Sequence, residues 1–111
     1  MLQGSEADRV FSALADQTRR DILSRAMAGE EGVAELASHY PMSFAAVQKH
    51  IAVLERAGLV SKRRVGRRLV VSTRLEQVRA AQRLLDQFEE LWRGRTTRMA
   101  DLIGQNEEGE G

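Results

Sequence analysis

Residues 33–60 read VAELASHYPMSFAAVQKHIAVLERAGLV, which has the pattern of two short helices separated by a turn. Apolar residues recur at helical spacing from Val33 onward and predict a first helix to about His39. Pro41 disfavours helical backbone at the residue before it, so this helix is expected to end there. A second helical pattern begins at Ser43, after a turn of about four residues.

The second helix, between Ser43 and Gly58, is the candidate recognition helix of a helix-turn-helix. Ser43 is a favourable N-cap residue and Gly58 is a natural C-terminal stop. The core-facing positions follow at helical spacing, at Val47, Ile51 and Leu54. In helix-turn-helix proteins the second helix enters the major groove of DNA, so the sequence predicts a DNA-binding unit.

After this helix the sequence pattern becomes typical of β-structure. Residues 59–65 and 68–73 are rich in β-branched residues and predict two strands that turn at Gly66 and Arg67. A basic hairpin directly after a recognition helix is a wing, here residues 62–68. Its arginines are expected to contact phosphates or the minor groove, and they are Arg63, Arg64, Arg67 and Arg68.

Three further helices complete the predicted order α1-α2-α3-α4-β-β-α5. Ser5 begins a helix-start pattern for the first helix, and Asp16 is expected to cap a second helix over residues 17–28. Residues 73–76 read Thr-Arg-Leu-Glu, which has the form of a capping box. This box is expected to begin a long last helix that ends at about Ile103.

The chain is expected to form a single winged helix-turn-helix domain, mainly α with a small β-hairpin, over residues 5–103. Residues 104–111 are expected to form an acidic flexible tail. The 111 residues include no Cys, which excludes disulfide scaffolds and thiolate metal sites. No apolar run approaches the roughly 20 residues that span a membrane, and the N-terminus lacks signal-peptide features. We therefore expect a cytoplasmic protein without membrane contact.

The formal net charge is only +1, but the charge is unevenly distributed. Residues 43–74 contain eight basic residues and one acidic residue, Glu55, for a net charge of +7. Residues 1–42 and 75–111 each have a net charge of −3. This concentration of positive charge predicts a surface that binds a polyanion. A solvated basic face without a partner is the alternative that charge alone allows.

The last helix has an apolar stripe that is longer than a small core requires. A helix over residues 75–103 would span roughly 43 Å, and an uncovered stripe of that length predicts a partner helix. The simplest partner is the same helix of a second copy, and the alternative is that the helix folds back on its own core. The stripe consists of Val78, Leu85, Phe88, Trp92, Met99 and Leu102.

The N-terminal part of the recognition helix carries the residues expected to face DNA. Ala45 and Ala46 allow close approach and can contact a thymine methyl group. Gln48 can form two hydrogen bonds with adenine, and Lys49 can reach guanine or a phosphate. Ser43, beside the free N–H groups of the helix start, suits a phosphate oxygen. Ordinary solvent-exposed surface is the alternative interpretation of Gln48 and Lys49.

Residues 14–23, LADQTRRDIL, together with residues 42–60, resemble the ArsR/SmtB-type winged helix-turn-helix repressors. The similarity covers about residues 6–103. It implies repression by occupation of a promoter operator on double-stranded DNA. A two-fold dimer would present two recognition helices about one DNA turn apart and would prefer a pseudo-palindrome.

The resemblance also implies the roles of particular residues. It implies a homodimer held by the first and last helices, so Val10, Phe11 and Leu14 join the stripe of the last helix as expected interface residues. Gln48 stands where many members have Ser, so the operator sequence does not follow from the family. The residues that inherit the DNA-facing role are Ser43, Ala45, Ala46, Gln48 and Lys49.

Metal-sensing members of this family place a C-x-C motif on the third helix or Asp and His ligands on the last helix. The third helix here reads ELASHY over residues 35–40, without a thiolate, and the last helix has Asp86, Glu89 and Glu90 but no His. His50 is expected to pack or to make a local hydrogen bond. We therefore expect no metal site and no cofactor, and the small-molecule inducer is unknown.

Two other functions compete with a DNA-binding repressor. One is a ligand- or metal-responsive sensor with a pocket in the dimer crevice around Phe88 and Trp92. The other is a protein-interaction module that uses the long last helix. The chain has no nucleophile–base pair and no phosphate-binding glycine loop, so we do not expect an enzyme.

Overall fold

The computed structural model describes the backbone of residues 4–106 and the side chains of residues 6–94, 102 and 103. The predicted order of elements is confirmed, and none of the described helices is long and apolar enough to cross a membrane. The elements are α1 (Gly4–Leu14), α2 (Gln17–Ala28), α3 (Val33–Ala37), α4 (Phe44–Arg56), β1 (Val60–Val65), β2 (Arg68–Thr73) and α5 (Leu75–Asn106).

The described residues form two units, one up to Ala81 and the other from Gln82 onward. The first unit contains the buried core, to which the first four helices and the hairpin all contribute. The predicted core-facing residues of α4 are confirmed as buried. The largest fully buried side chains are Val10, Ile22, Leu36, Val47, Ile51, Leu54, Leu59, Val60 and Val71.

The ends of α2 and α4 follow from local signals in the sequence. The Asp16 carboxylate accepts a hydrogen bond from the Arg19 backbone N–H at 3.0 Å, and the Ser43 hydroxyl accepts one from the Ala46 N–H at 3.0 Å. Both contacts satisfy N–H groups that have no partner inside the helix. Gly58, with φ +77°, lies just beyond the C-terminus of α4 in the left-handed region that glycine favours.

The hairpin has the predicted strands and turn. β1 and β2 are antiparallel, with Val60 opposite Thr73 and Val65 opposite Arg68. The turn is formed by Gly66, with φ +63°, and Arg67. On its other side β2 meets the segment before α3, because the Val71 N–H donates to the Glu31 carbonyl at 3.0 Å and Val70 forms a bridge with Gly32. The wing is thereby anchored to the helix-turn-helix.

The prediction for α3 was two residues too long at its C-terminus. The helix ends at Ala37, and the chain continues in a tighter turn toward Tyr40. The His39 N–H donates to the Leu36 carbonyl at 3.1 Å and the Tyr40 N–H to the Ala37 carbonyl at 3.3 Å. These bonds span three residues instead of four, as is common where a helix ends.

The start of α5 also differs from the expectation. The predicted capping box does not form, because Thr73 ends β2 and its hydroxyl oxygen is buried without a hydrogen-bond partner among the described residues. The helix begins at Leu75 as predicted and continues to Asn106, three residues beyond Ile103. The part of the expected tail over residues 107–111 lies outside the described residues.

Candidate nucleic-acid interface

Two consecutive arginines of α2 hold the C-terminal end of α1. Arg19 donates from Nε to the Ala13 carbonyl at 2.8 Å and from Nη2 to the Ser12 carbonyl at 2.9 Å. Arg20 donates from Nη1 to the Leu14 carbonyl at 2.7 Å. The last carbonyls of a helix lack the usual backbone partner four residues further on, so these side chains supply donors to them. The Ser12 carbonyl also accepts a hydrogen bond from the Ala15 N–H at 3.2 Å. The TRR run of the sequence therefore fixes the position of α1 relative to α2.

Arg19 also contacts the recognition helix α4. Its Nη1 atom lies 3.3 Å from Nδ1 of His50. A guanidinium group has only donors, so Nδ1 of His50 accepts and the ring proton lies on Nε2 in this arrangement. His50 was expected to pack or to make a local hydrogen bond, but its hydrogen-bonding partner is 31 positions away in the sequence, and one guanidinium group joins α1, α2 and α4.

A second polar contact fixes the turn that precedes α4. The Tyr40 hydroxyl donates to an Asp21 carboxylate oxygen at 2.6 Å, and Arg25 Nε donates to the same oxygen at 3.0 Å. The Arg25 guanidinium lies 5.9 Å from the centre of the Tyr40 ring. Burial and the Asp21 carboxylate together raise the pKa of Tyr40 to about 12. The hydrogen bonds from Tyr40 and Arg25 lower the pKa of Asp21 below its ordinary value.

The predicted DNA-facing residues of α4 lie at the start of the helix. Ser43, Ala45, Gln48 and Lys49 are exposed, whereas Ala46 is half-buried. Within the described part of the chain, the side chains of Gln48 and Lys49 make no hydrogen bond and no ion pair. Their donors and the amide oxygen of Gln48 are therefore available to an external partner.

The four wing arginines differ in whether they have a carboxylate partner, a difference that the sequence pattern does not show. Arg63 forms an ion pair with Glu30 at 2.5 Å, and the Ser72 hydroxyl donates to the other oxygen of Glu30 at 2.8 Å. The hydrogen bond from Ser72 and the charge of Arg63 lower the pKa of Glu30. Arg63 therefore joins the hairpin to the loop before α3.

Arg68 makes the equivalent contact with the N-terminus of α3. Its guanidinium is paired with Glu35, whose carboxylate also accepts a hydrogen bond from the Gly32 N–H at 2.9 Å. The backbone bond from Gly32, followed by the bond from Arg68, lowers the pKa of Glu35. By contrast, Arg64 and Arg67 are exposed and have no ion-pair partner among residues whose side chains are described. They are the available cations of the wing.

One cavity brings the recognition helix and the wing together. Its volume is about 420 Å³, and its walls come from the start of α3, from α4 and from the tip of the hairpin. From α4 it is lined by Phe44 and Gln48, and from the wing by Arg67, Arg68 and Leu69. The structure thus places Gln48 and two wing arginines on one surface, although Gln48 and Arg67 are 19 positions apart along the chain.

Phe44 is a residue that the sequence analysis left without a role. It is the first residue of α4, and its side chain is 48% exposed. The signal was present in the sequence, since Phe44 lies four residues before Gln48 and shares its helix face. The pattern alone does not identify it, because a phenylalanine in an amphipathic helix is more often a core residue.

The expected dimer residues divide by exposure. Val10 was expected at the dimer interface, but its side chain is fully buried in the core and cannot contact a partner. Phe11, Leu14 and Val78 are half-buried and pack against the core. The side chain of Met99 lies outside the described residues. The exposed members of the predicted set are Leu85, Phe88, Trp92 and Leu102.

Among the residues that the structure describes, no three His, Cys, Asp or Glu side chains converge on a point that could hold a metal ion. His39 instead lies 3.1 Å from a carboxylate oxygen of Glu31. The second histidine, His50, is the partner of Arg19. The site described above instead consists of the Gln48 amide, the cationic side chains of α4 and the wing, and the exposed ring of Phe44.

Comparison with known proteins identifies relatives of the chain. The family described as bacterial regulatory protein, arsR family, matches residues 16–62. The chain is 41% identical over 96 residues to the HTH-type transcriptional regulator Rv2034 of Mycobacterium tuberculosis, covering 86% of this chain and 87% of that protein. It is 32% identical over 59 residues to the transcriptional repressor SdpR of Bacillus subtilis, covering 53% and 66%. An ArsR-like transcriptional regulator from Rhodococcus sp. RHA1 has a similar structure, with a TM-score of 0.78 and 28% identity over 88% of this chain and 92% of that one.

Proposed function

The chain belongs to the arsR family of bacterial regulatory proteins and is a DNA-binding transcriptional regulator, and from this premise we propose that it is a homodimeric repressor that occupies a pseudo-palindromic promoter operator. Repression follows from occupation of the promoter by the dimer. The similarity to SdpR, a transcriptional repressor, supports this direction of regulation. The protein would act in the cytoplasm, where bacterial promoters are, through a regulatory role and not through catalysis.

The observation that carries this proposal is the shared surface of α4 and the wing. Gln48 and Arg67 line one cavity, so a duplex seated against α4 also meets the hairpin tip. We assign the major groove to the start of α4, where the residues facing the bases or phosphates are Ser43, Ala45, Ala46, Gln48 and Lys49. The four wing arginines face the backbone or minor groove in this arrangement.

The two pairs of wing arginines have different tasks in this proposal. Arg64 and Arg67 are available cations and contact phosphates directly. Arg63 and Arg68 are held by Glu30 and Glu35, and therefore orient the hairpin relative to α3. An arginine without a carboxylate partner releases a bound counterion from the DNA when it neutralises a phosphate. An arginine already paired with a carboxylate has less net charge to offer, so it releases fewer counterions.

The dimer in this proposal is held mainly by the last helix. Leu85, Phe88, Trp92 and Leu102 are exposed apolar residues on one helix. Exposed apolar stripes of this length mark interaction sites in soluble proteins. We assign a second copy of this chain as the partner, with residues 5–103 as one domain. Of the acidic segment expected over residues 104–111, residues 104–106 continue α5, and only residues 107–111 are proposed to lie outside the domain.

Binding to DNA from upstream of the protein's own gene, measured by fluorescence anisotropy over a series of salt concentrations, tests the proposed function. We expect tight binding to the upstream duplex and much weaker binding to a scrambled duplex. Gln48→Ala should change the preference among sequences. Arg67→Ala should weaken binding to all sequences and reduce the salt slope by about 0.9 per protomer.

The matched control is Arg63→Ala, which removes an arginine of the same wing that is already paired with Glu30. It should reduce the salt slope less than Arg67→Ala. Equal binding of the upstream and scrambled duplexes at physiological salt would contradict the proposed function. Equal effects of the Gln48 and Arg67 variants on every duplex would contradict the assigned roles.

A further inference from the structure

Phe44 is a large apolar side chain exposed on the surface that is proposed to face DNA, where a polar residue would be better solvated. Its ring is 48% exposed and lines the cavity between α4 and the wing. The other apolar walls of this cavity are Val33, Ala34 and Leu69. Beside this apolar surface lie the Gln48 amide, the Arg67 guanidinium and the ion pair of Arg68 with Glu35, so an occupant must combine an apolar group with polar edges and must place its negative charge toward Arg67.

Double-stranded DNA has that combination in the major groove. Thymine presents a methyl group beside the hydrogen-bonding groups of the bases, and the phosphates carry negative charge. Arg67 and Arg68 line the same cavity as Phe44, and Arg67 has no ion-pair partner among the residues whose side chains are described. The charge and the apolar surface together favour a duplex over an apolar peptide or a neutral ligand.

We propose that Phe44 contacts the 5-methyl group of a thymine in the operator and is a specificity-determining residue, an inference that rests on the proposed DNA-binding function. A phenyl ring cannot replace the hydrogen bonds of a polar base edge, and leaving such groups unpaired weakens binding. Phe44 therefore selects thymine over the other bases at its position. Ala46 is half-buried, and neither Ala46 nor the exposed Ala45 lines the cavity that Phe44 shares with the wing, so Phe44 is better placed to reach this methyl group.

The geometry of α4 limits where this thymine lies. Phe44 and Gln48 are four residues apart on one helix face, which is about 6 Å along the helix axis. Base pairs in B-DNA are separated by about 3.4 Å. The thymine contacted by Phe44 therefore lies within two base pairs of the base that Gln48 contacts.

The test replaces each thymine of the operator in turn by deoxyuridine, which lacks only the methyl group. The operator is first selected from a random duplex library with the purified full-length protein. We expect one thymine in each half-site at which the substitution weakens binding about fourfold, the factor for burying one methyl group. This position should lie within two base pairs of the position whose preference changes in Gln48→Ala.

Phe44→Ala should abolish the difference between thymine and deoxyuridine at that position. The matched control is Met27→Ala on α2, because the Met27 side chain is also 48% exposed but does not line the cavity. Met27→Ala should keep the fourfold difference. The deoxyuridine scan of the unaltered protein requires no substitution, so it remains informative even if Phe44→Ala does not fold.

The outcomes separate this inference from the proposed function. If the unaltered protein selects an operator but no deoxyuridine substitution weakens binding, Phe44 does not read a methyl group. The same conclusion follows if Phe44→Ala retains the full difference. If the unaltered protein selects no sequence over random duplex, the proposed function fails and the role of Phe44 fails with it.

Discussion

At the scale of single residues, Arg19 connects three helices of the first unit. Its guanidinium donates to two carbonyls of α1 and contacts His50 of α4. The side chain is only 16% exposed, so water cannot readily replace these hydrogen bonds. One polar residue therefore fixes the position of the recognition helix, which lies far from it in sequence.

Arg19→Ala should lower the free energy of unfolding by about 2–3 kcal/mol, because it leaves the carbonyls of Ser12 and Ala13 without their charged partner. Urea denaturation measures this change. Arg20→Ala is the matched control, since Arg20 is exposed and donates to one carbonyl only, and we expect a loss below about 1 kcal/mol. Similar losses for the two variants would contradict the role given to Arg19.

Tyr40 gives a second prediction at this scale, because it is the only tyrosine of the chain. Its pKa is raised to about 12 by burial and by Asp21, whereas an unfolded tyrosine titrates near 10. The protonated Tyr40 hydroxyl therefore contributes to the free energy of unfolding. This contribution is fully present below about pH 10 and is lost as the pH rises through about 12. Ultraviolet absorbance of tyrosinate should therefore show a native midpoint near 12.

Asp21→Asn removes the negative charge next to the Tyr40 hydroxyl and should lower this midpoint toward 10. The urea-unfolded protein provides the reference titration. A native midpoint equal to that of the unfolded protein would show that Tyr40 is neither buried nor bonded to Asp21. Tyr40 would then not hold the turn before α4 in the way described.

At the scale of elements, the position of α4 depends on how the helix ends. The Leu59 N–H donates to the Leu54 carbonyl at 3.0 Å, and this bond requires left-handed backbone at Gly58. A Cβ atom at Gly58 would lie 3.0 Å from Cγ of Gln77. The chain can therefore pass from α4 into β1 without strain only if this residue is glycine.

Gly58→Ala should lower the free energy of unfolding by about 1–2 kcal/mol, because alanine is strained at φ +77° and meets Gln77. Thermal unfolding monitored by circular dichroism measures the loss. Gly29→Ala is the control, since Gly29 has extended backbone and nothing within 4 Å of the added Cβ. A loss at Gly58 no larger than that at Gly29 would contradict this account of the end of α4.

At the scale of the whole molecule, the charged and the apolar surfaces belong to different parts of the chain. Lys49, Arg64 and Arg67, which have no ion-pair partner among the described side chains, lie on α4 and the wing, whereas exposed apolar residues recur from Leu85 to Ile103 on α5. Phe88 and Trp92 are 60% and 65% exposed. Large aromatic side chains of this kind are common centres of protein interfaces. We expect the apolar part of α5 to join two copies, each with its own DNA-facing surface.

Phe88→Asp should therefore weaken the dimer by at least about 30-fold, because it puts a charge into an apolar interface. Sedimentation analysis should give the mass of two 12.4 kDa chains for the unaltered protein and a larger fraction of single chains for the variant. Gln87→Asp adds the same charge to a neighbouring polar position of α5 and should leave the dimer intact. A single-chain mass for the unaltered protein would contradict the proposed dimer.

Much of the fold could be predicted because its signals are local. Asp16 and Ser43 cap the helices that follow them, and Gly66 turns the hairpin at the expected position. Each signal depends on residues within a few positions of it, so the sequence pattern contains all that is required. The local pattern failed at Thr73, because this half-buried residue ends β2 and its hydroxyl oxygen is buried without a hydrogen-bond partner among the described residues.

The sequence by itself determined the winged helix-turn-helix and the basic segment, and it supplied candidate residues to face DNA. The tertiary structure alone decided which wing arginines are held by carboxylates, because Arg63 and Arg68 meet partners 33 positions away. It also decided that Phe44 lies beside Gln48 and the wing and not in the core. Such contacts depend on how distant elements pack against one another, and periodicity within one element contains no information about that packing.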